Sequence, residues 1–181
     1  MESLVDNKFW NDKKVLITGH TGFKGTWLSI ILNSLGANVS GYALEPISNP
    51  SFFNIIKKDL KINSFIGDIR NYDNLKEKIE SIEPEIIIHM AAQPLVRLSY
   101  EKPVETYGTN VLGLVNLLDI GKNLNSLRAI LNVTSDKCYE NKEWLWAYRE
   151  DDRLGGHDPY SASKACAEIA AAAYRSSFLT D

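Results

Sequence analysis

Cysteine is scarce: Cys138 and Cys166 are the only two among 181 residues. They have neither metal-ligand spacing nor a secretory context. This excludes a disulfide framework and a cysteine-built metal site, and leaves two free thiols in a reducing compartment as the expectation. A basic stripe is also missing, since 20 Lys and Arg stand against 23 Asp and Glu for a net charge of -3. That argues against an electrostatic binder of nucleic acid or of a membrane surface. It leaves a nucleotide ligand open, because backbone amides hold phosphates without net positive charge. No run approaches the roughly 18 apolar residues of a membrane span. The segment from Met1 to Lys14 is polar and carries both signs of charge, without the apolar centre of a leader. A cytoplasmic protein with no membrane attachment is expected. The chain shows no internal repeat, low-complexity tract or linker, so residues 1–181 are expected to form a single domain.

What is present is an ordinary globular composition, 44% hydrophobic and 24% charged, enough for one sizeable core. Short apolar runs alternate with amphipathic stretches. Strands are expected over 14–18, 38–44, 61–66, 85–89 and 127–134. Helices are expected over 23–35, 51–58, 72–82, 103–122 and 159–178. The inward stripes are Trp27, Ile30, Ile31 and Leu35 on the first helix, with Gly36 at its carboxyl cap, then Leu75, Ile79 and Ile82, then Val111, Leu114, Val115 and Leu118. Continuous apolar strands joined by helices predict a Rossmann-type α/β fold, a doubly wound parallel sheet with helices on both faces.

The first strand runs directly into Gly19-His20-Thr21-Gly22-Phe23-Lys24-Gly25. Gly19 permits the tight turn, Gly22 lets backbone approach a pyrophosphate, and Gly25 lets the new helix pack on the sheet. The helix amino terminus then offers unpaired amides and its positive dipole end to phosphates. This is a dinucleotide-binding loop in the strand-to-helix context that the motif requires. Glu45, 20 residues after Gly25, is placed to accept from adenosine ribose hydroxyls, which favours NAD over NADP; a solvated loop carboxylate is the other reading. Asp68 and Ile69, after the third strand, suit the adenine, or else Asp68 caps the next helix. Ala91, Ala92 and Gln93 follow the fourth strand, where small residues let a cofactor lie against backbone. Asn110 stands mid-helix, where asparagine has poor propensity, so either a buried hydrogen-bonding role or an exposed position accounts for it.

Tyr160 and Lys164 are four apart on one helix face. An ammonium beside a phenol stabilises the phenolate, which could take a proton from a sugar hydroxyl while a cofactor takes hydride. The fifth strand leads into Ser135-Asp136-Lys137, at the sheet end where open α/β folds bind ligands. An acid and a base side by side suit an elimination; a local salt bridge with a cap is the bland alternative. Trp144, Trp146 and Tyr148 read as loop-packing residues before sugar platforms.

Four segments carry a resemblance: Gly19 to Trp27, His89 to Arg97, Thr134 to Asn141, and Tyr160 to Lys164. Together they resemble the amino-terminal half of the CDP-glucose 4,6-dehydratases, in the extended short-chain dehydrogenase superfamily. Relatives acting on dTDP-glucose usually carry Asp-Glu at Asp136-Lys137 and threonine at Ser135. The resemblance implies NAD as cofactor and CDP-glucose as substrate, in deoxysugar and O-antigen (lipopolysaccharide) precursor synthesis. It implies that Tyr160, assisted by Lys164, deprotonates the 4-hydroxyl and that Ser135 binds the 4-oxygen. Lys137 would take the C5 proton and Asp136 would protonate the departing 6-hydroxyl. It implies a homodimer through the helix from Pro103 and the helix of Tyr160, where Ala165, Ala167 and Ala170 to Ala173 would allow close approach; close packing of those alanines on the chain's own sheet is the other reading. It further implies that the portion holding the CDP group lies beyond Asp181, so that the chain as given is truncated before its substrate-binding portion. Two other readings share part of the pattern. One is a nucleotide-sugar 4-epimerase or a dehydratase for another nucleotide; the other is a non-catalytic NAD-binding module.

Overall fold

The computed structural model describes residues 7–179, which divide into two compact units. The first comprises residues up to 91 together with 123–132, and the second comprises 92–122 together with the chain from 133 onward.

The first unit is a five-stranded parallel sheet. Its strands are β1 (Lys14–Thr18), β2 (Asn38–Ala43), β3 (Ile62–Ile66), β4 (Ile86–His89) and β5 (Ala129–Asn132), in the order β3-β2-β1-β4-β5. The strand centres are apolar because both faces are covered: Val15, Leu16, Ile17 and Ile87 are fully buried. Burial on that scale contributes about 1.5–3 kcal/mol for each such side chain. After a short α1 (Asn7–Trp10), the crossovers are α2 (Phe23–Ser34), α3 (Phe52–Ile56) and α4 (Tyr72–Ile82). The order moves outward from β1 to β3 and then returns to β4. With right-handed connections this reversal sets α2 and α4 on opposite faces, and both contact β1. Asn71 caps α4 by accepting from Asn74 N at 3.1 Å.

The expected inner stripe of α2 is overturned. Trp27 and Ile31 are about half exposed, and the buried residues are Gly25, Thr26, Ser29 and Leu32. Small side chains let the helix lie close to the sheet. The large ones turn outward, where Phe52 of α3 meets both Phe23 and Trp27 at ring distances of 5.6 and 5.1 Å. The helix also ends at Ser34, with Leu35 at its cap and Gly36 at φ +84° just beyond.

The second unit is helical. It contains α5 (Val96–Glu101), α6 (Pro103–Tyr107), a π-helical turn (Gly108–Leu112), α7 (Gly113–Gly121), a 3-10 turn (Asp136–Cys138) and α8 (Pro159–Phe178). The six residues of α5 are too few to show a period and were not expected as a helix. The helix expected over 103–122 is continuous but interrupted by the π turn. The interruption moves its buried face to Asn110, Gly113, Leu114, Leu117 and Leu118, leaving Val111 and Val115 only half-buried. Both ends of α8 fall where expected, with Pro159 in its first turn.

Candidate functional site

In the first unit the glycine loop leaves β1 at the point where strand order reverses, the position at which open α/β sheets bind ligands. Gly19 adopts φ +80°, and a Cβ there would stand 2.9 Å from Ala91 N. A Cβ on Gly25 would stand 2.2 Å from Gly19 O, so the first turn of α2 closes directly over the loop. Gly22 caps α2 with no side-chain hydrogen bond, so the helix amides at that end are left for another acceptor. Phe23 and Lys24 are exposed, and Thr21 Oγ1 donates to Leu44 O at 2.8 Å. Glu45 is exposed just past β2.

Asp68 is not the cap of α4, since Asn71 takes that place. Its carboxylate accepts from Arg70 Nε at 3.0 Å and from Arg70 Nη2 at 2.5 Å, and these bonds, against a smaller upward push from burial, hold its pKa below the usual range. Tyr42 Oη donates to Asp68 O at 3.2 Å and to Asn74 Oδ1 at 2.7 Å, which fixes the Gly67–Ile69 turn. Ile69 is buried, 4% exposed.

His20 is fully buried, its ring seated where a Cβ on Gly41 would come within 2.3 Å, and its Nε2 is hydrogen-bonded to Ser64 Oγ at 2.7 Å. Burial pushes its pKa down to about 4 against an upward pull from the Tyr42 backbone. Thr18 Oγ1 accepts from Met90 N and Ala91 N at 3.1 and 3.2 Å and lies 2.7 Å from His89 Nδ1. With both amides donating to it, the hydroxyl is left to donate to that ring nitrogen. This fastens β4's exit to β1.

In the second unit, Asn110 is buried and hydrogen-bonded, as one of its two readings anticipated. Its Oδ1 accepts from Gln93 N at 2.8 Å, and its Nδ2 donates to Gln93 O at 3.1 Å and to Ser163 Oγ at 2.8 Å. Gln93 Nε2 donates to Leu95 O and Thr106 Oγ1, while its Oε1 accepts from Leu95 N at 2.6 Å. The side chains of Gln93 and Asn110 are thus spent on holding backbone and the Thr106 and Ser163 hydroxyls, and Ala92 is half-buried beside Gln93 in sequence. π turns gather at functional positions, and this one presents Asn110 to the network.

Tyr160 and Lys164 are 9% and 7% exposed on one face of α8. The helix start is held twice. Asp158 accepts from Ser161 N at 2.9 Å and Ser161 Oγ at 2.6 Å, and Tyr160 N donates to Ser99 Oγ at 3.2 Å. Burial raises the Asp158 pKa, but these hydrogen bonds outweigh it and hold the carboxyl below its usual range. Burial likewise lowers the Lys164 pKa, and Glu168 draws it partly back. Sequence reasoning passed over Ser99, Thr106, Ser163 and Glu168. Only Ser163 and Glu168 carried a signal, their three- and four-residue spacing from Tyr160 and Lys164.

The 3-10 turn packs against α8. Ser135 caps the turn, with Oγ accepting from Lys137 N at 3.2 Å and donating to Asp136 Oδ1 at 3.1 Å. Asp136 and Lys137 are exposed and form no ion pair with each other, so of the bland alternative the cap is present and the salt bridge is not. They line a cavity of about 320 Å³ with Tyr139, Tyr148, His157 and Ser161. Tyr148 stacks on Tyr139 at 5.2 Å, and Trp144 packs on Tyr148 and Trp146. Another cavity, about 260 Å³, opens by Lys14, Asn38 and Asn63 at the amino ends of the strands. It is the wrong end of the sheet for a ligand of this fold. Among the described residues no helix is long and apolar enough to cross a membrane.

Known proteins share this arrangement. The chain is 54% identical, over 97% of its length, to the CDP-glucose 4,6-dehydratase of Salmonella typhimurium, of which it covers 49%. It therefore spans about half the length of that curated relative. The solved structure of MoeE5 in complex with UDP-glucose and NAD matches 88% of this chain and 48% of its own, with TM-score 0.72 and 26% identity. The epimerase Mth375 of Methanothermobacter thermautotrophicus matches 96% of this chain and 51% of its own with TM-score 0.83 at 21% identity, a likeness of fold. The five-stranded parallel sheet, the glycine loop and the Tyr160–Lys164 helix agree with a match to the family model of GDP-mannose 4,6 dehydratase over residues 16–180, and the chain belongs to that family.

Proposed function

We propose that the protein is an NAD-dependent dehydratase converting CDP-glucose to CDP-4-keto-6-deoxyglucose, for deoxysugar and lipopolysaccharide O-antigen precursors. The observation that carries the reading is the buried Tyr160–Lys164 pair on the helix against which the Ser135-Asp136-Lys137 turn packs. The 54% identical relative of that activity supports the choice of reaction and nucleotide.

NAD suits the first unit because a Cβ at Gly19 or Gly25 would strike backbone and the start of α2 has no side-chain cap. Gly19, Thr21, Gly22, Phe23, Lys24 and Gly25 would receive the pyrophosphate, Glu45 the ribose hydroxyls, and Asp68 and Ile69 the adenine. Ala91, Ala92 and the backbone held by Gln93 and Asn110 would border the rest. Bound there, NAD would supply the hydride acceptor for oxidation at C4 and the hydride source for reduction at C6.

The chain's own residues handle the protons. Tyr160 Oη, as the phenolate whose charge the Lys164 ammonium offsets, takes the proton of the 4-hydroxyl and becomes the phenol. Ser135 Oγ donates to the 4-oxygen. The 4-ketone makes the C5 proton acidic; Lys137 Nζ removes it, and Asp136 delivers a proton to the departing 6-hydroxyl, which leaves as water. We further propose a cytoplasmic homodimer. The exposed Tyr100, Val104, Leu112 and Ile169 on α5, α6, the π turn and α8 support a covered helical face.

The test supplies NAD and CDP-, dTDP-, UDP- and GDP-linked glucose in parallel, following 4-keto-6-deoxy product. Product from CDP-glucose alone is expected. No such product from any of the four would overturn the dehydratase reading in favour of an epimerase or a non-catalytic NAD-binding module.

A further inference from the structure

Thr134 stands immediately before Ser135, and its Oγ1 donates to Glu168 Oε1 on α8. Glu168 lies four residues beyond Lys164 and eight beyond Tyr160, so all three share one helix face. Nothing in the reaction outlined above uses this carboxylate. Its place is nonetheless between the two groups of residues that the reaction needs.

Lys164 is 93% buried, leaving 7% exposed, and a buried ammonium is costly without a compensating charge. Burial lowers its pKa and Glu168 is what opposes that fall. The elements packed against α8 also carry Arg97 and Glu101 of α5, Glu105 of α6, Asp119 of α7, and Asp136 and Lys137 of the turn. Cys138, whose thiol is pushed up by burial and by Glu168, stays neutral there. Glu168 acts on Lys164 through space, without a contact ion pair.

We infer that Glu168 is a positioning residue with two separable duties. It tethers the Ser135-Asp136-Lys137 turn to α8 through Thr134, and it supplies the counter-charge for Lys164. The functional meaning of both rests on the proposed reaction, but the geometry does not.

Three variants separate the duties. Glu168→Gln keeps an acceptor for Thr134 and removes the charge; Thr134→Val keeps the charge and removes the tether; Glu168→Ala removes both. Two readouts need no turnover. One is the titration of Lys164 followed by NMR of ¹³C-labelled lysine. The other is amide hydrogen exchange of the peptide spanning residues 135–137. The Lys164 midpoint is expected to fall by about one pH unit, an order-of-magnitude figure for a neighbouring charge, in Glu168→Gln and Glu168→Ala, and to stay in place in Thr134→Val. Exchange at 135–137 is expected to quicken about tenfold, the loss of one hydrogen bond, in Thr134→Val and Glu168→Ala, and to stay in place in Glu168→Gln. A Lys164 midpoint unchanged by Glu168→Gln, or exchange unchanged by Thr134→Val, overturns the corresponding duty. A wild-type protein yielding no 4-keto-6-deoxy product would sink the proposed reaction while leaving both readouts intact.

Discussion

Asn110 donates from Nδ2 to Ser163 Oγ at 2.8 Å, joining the π-helical turn to the helix that bears Tyr160 and Lys164. Ser163 passes the contact on, donating to Tyr160 O at 2.6 Å. Replacing Asn110 by Leu strands Gln93 N–H and Gln93 C=O in a buried place. Stability is expected to fall by about 3 kcal/mol, the cost of two or three unsatisfied groups. Urea unfolding checks this, and a loss below ~1 kcal/mol would mean that water replaces the amide.

Gly25 has no room for a methyl group, because a Cβ would lie 2.2 Å from Gly19 O and 2.8 Å from His20 Cα. Gly25→Ala must push α2 away from the loop. NAD affinity, measured by calorimetric titration, is expected to drop at least ~10-fold, or about 1.4 kcal/mol. An unchanged affinity would remove the loop from the cofactor site.

His20 sets a pH dependence of stability. With its folded pKa near 4, it stays neutral while the unfolded chain gains a proton below about pH 6.5. Its contribution is complete above that value and is lost as the pH falls toward 4, about 3 kcal/mol in all. Denaturation midpoints of the wild type should therefore decline across this window. Those of His20→Asn should stay flatter there, with carboxylate effects appearing only at lower pH.

Tyr160→Phe should cost about 10²–10⁴-fold in turnover, the usual worth of a positioned proton acceptor, while NAD binding persists. Lys137→Ala should still allow NAD reduction, seen as nicotinamide absorbance, yet yield no 4-keto-6-deoxy product. Full product formation by Lys137→Ala would move the C5 base elsewhere.

The fold was legible where one physical signal ruled. Val15 to Ile17 and Ile86 to Ile88 are apolar throughout because both sheet faces are covered, and α8 announces its start with Asp158 and Pro159. Hydrophobicity misled at α2, where helix-to-sheet distance demands small residues inward and Trp27 faces out. α5 was missed because six residues cannot display a period. Within the candidate site, Tyr160, Lys164 and the glycines could be picked out by spacing. The partners Ser99, Thr106 and Thr134 could not, since a hydroxyl's use depends on what the fold brings within 3 Å of it.

A helix from Pro103 to Gly121 with unbroken α geometry would hold one residue fewer than this one does, because a π turn is an insertion absorbed into a helix. The wider turn replaces the regular hydrogen-bond ladder locally and rotates the helix that follows it. Removing one residue between Gly108 and Leu112 would restore the regular ladder and swing the asparagine off Gln93. The irregular turn thus sets one amide on the right backbone at the expense of helix regularity.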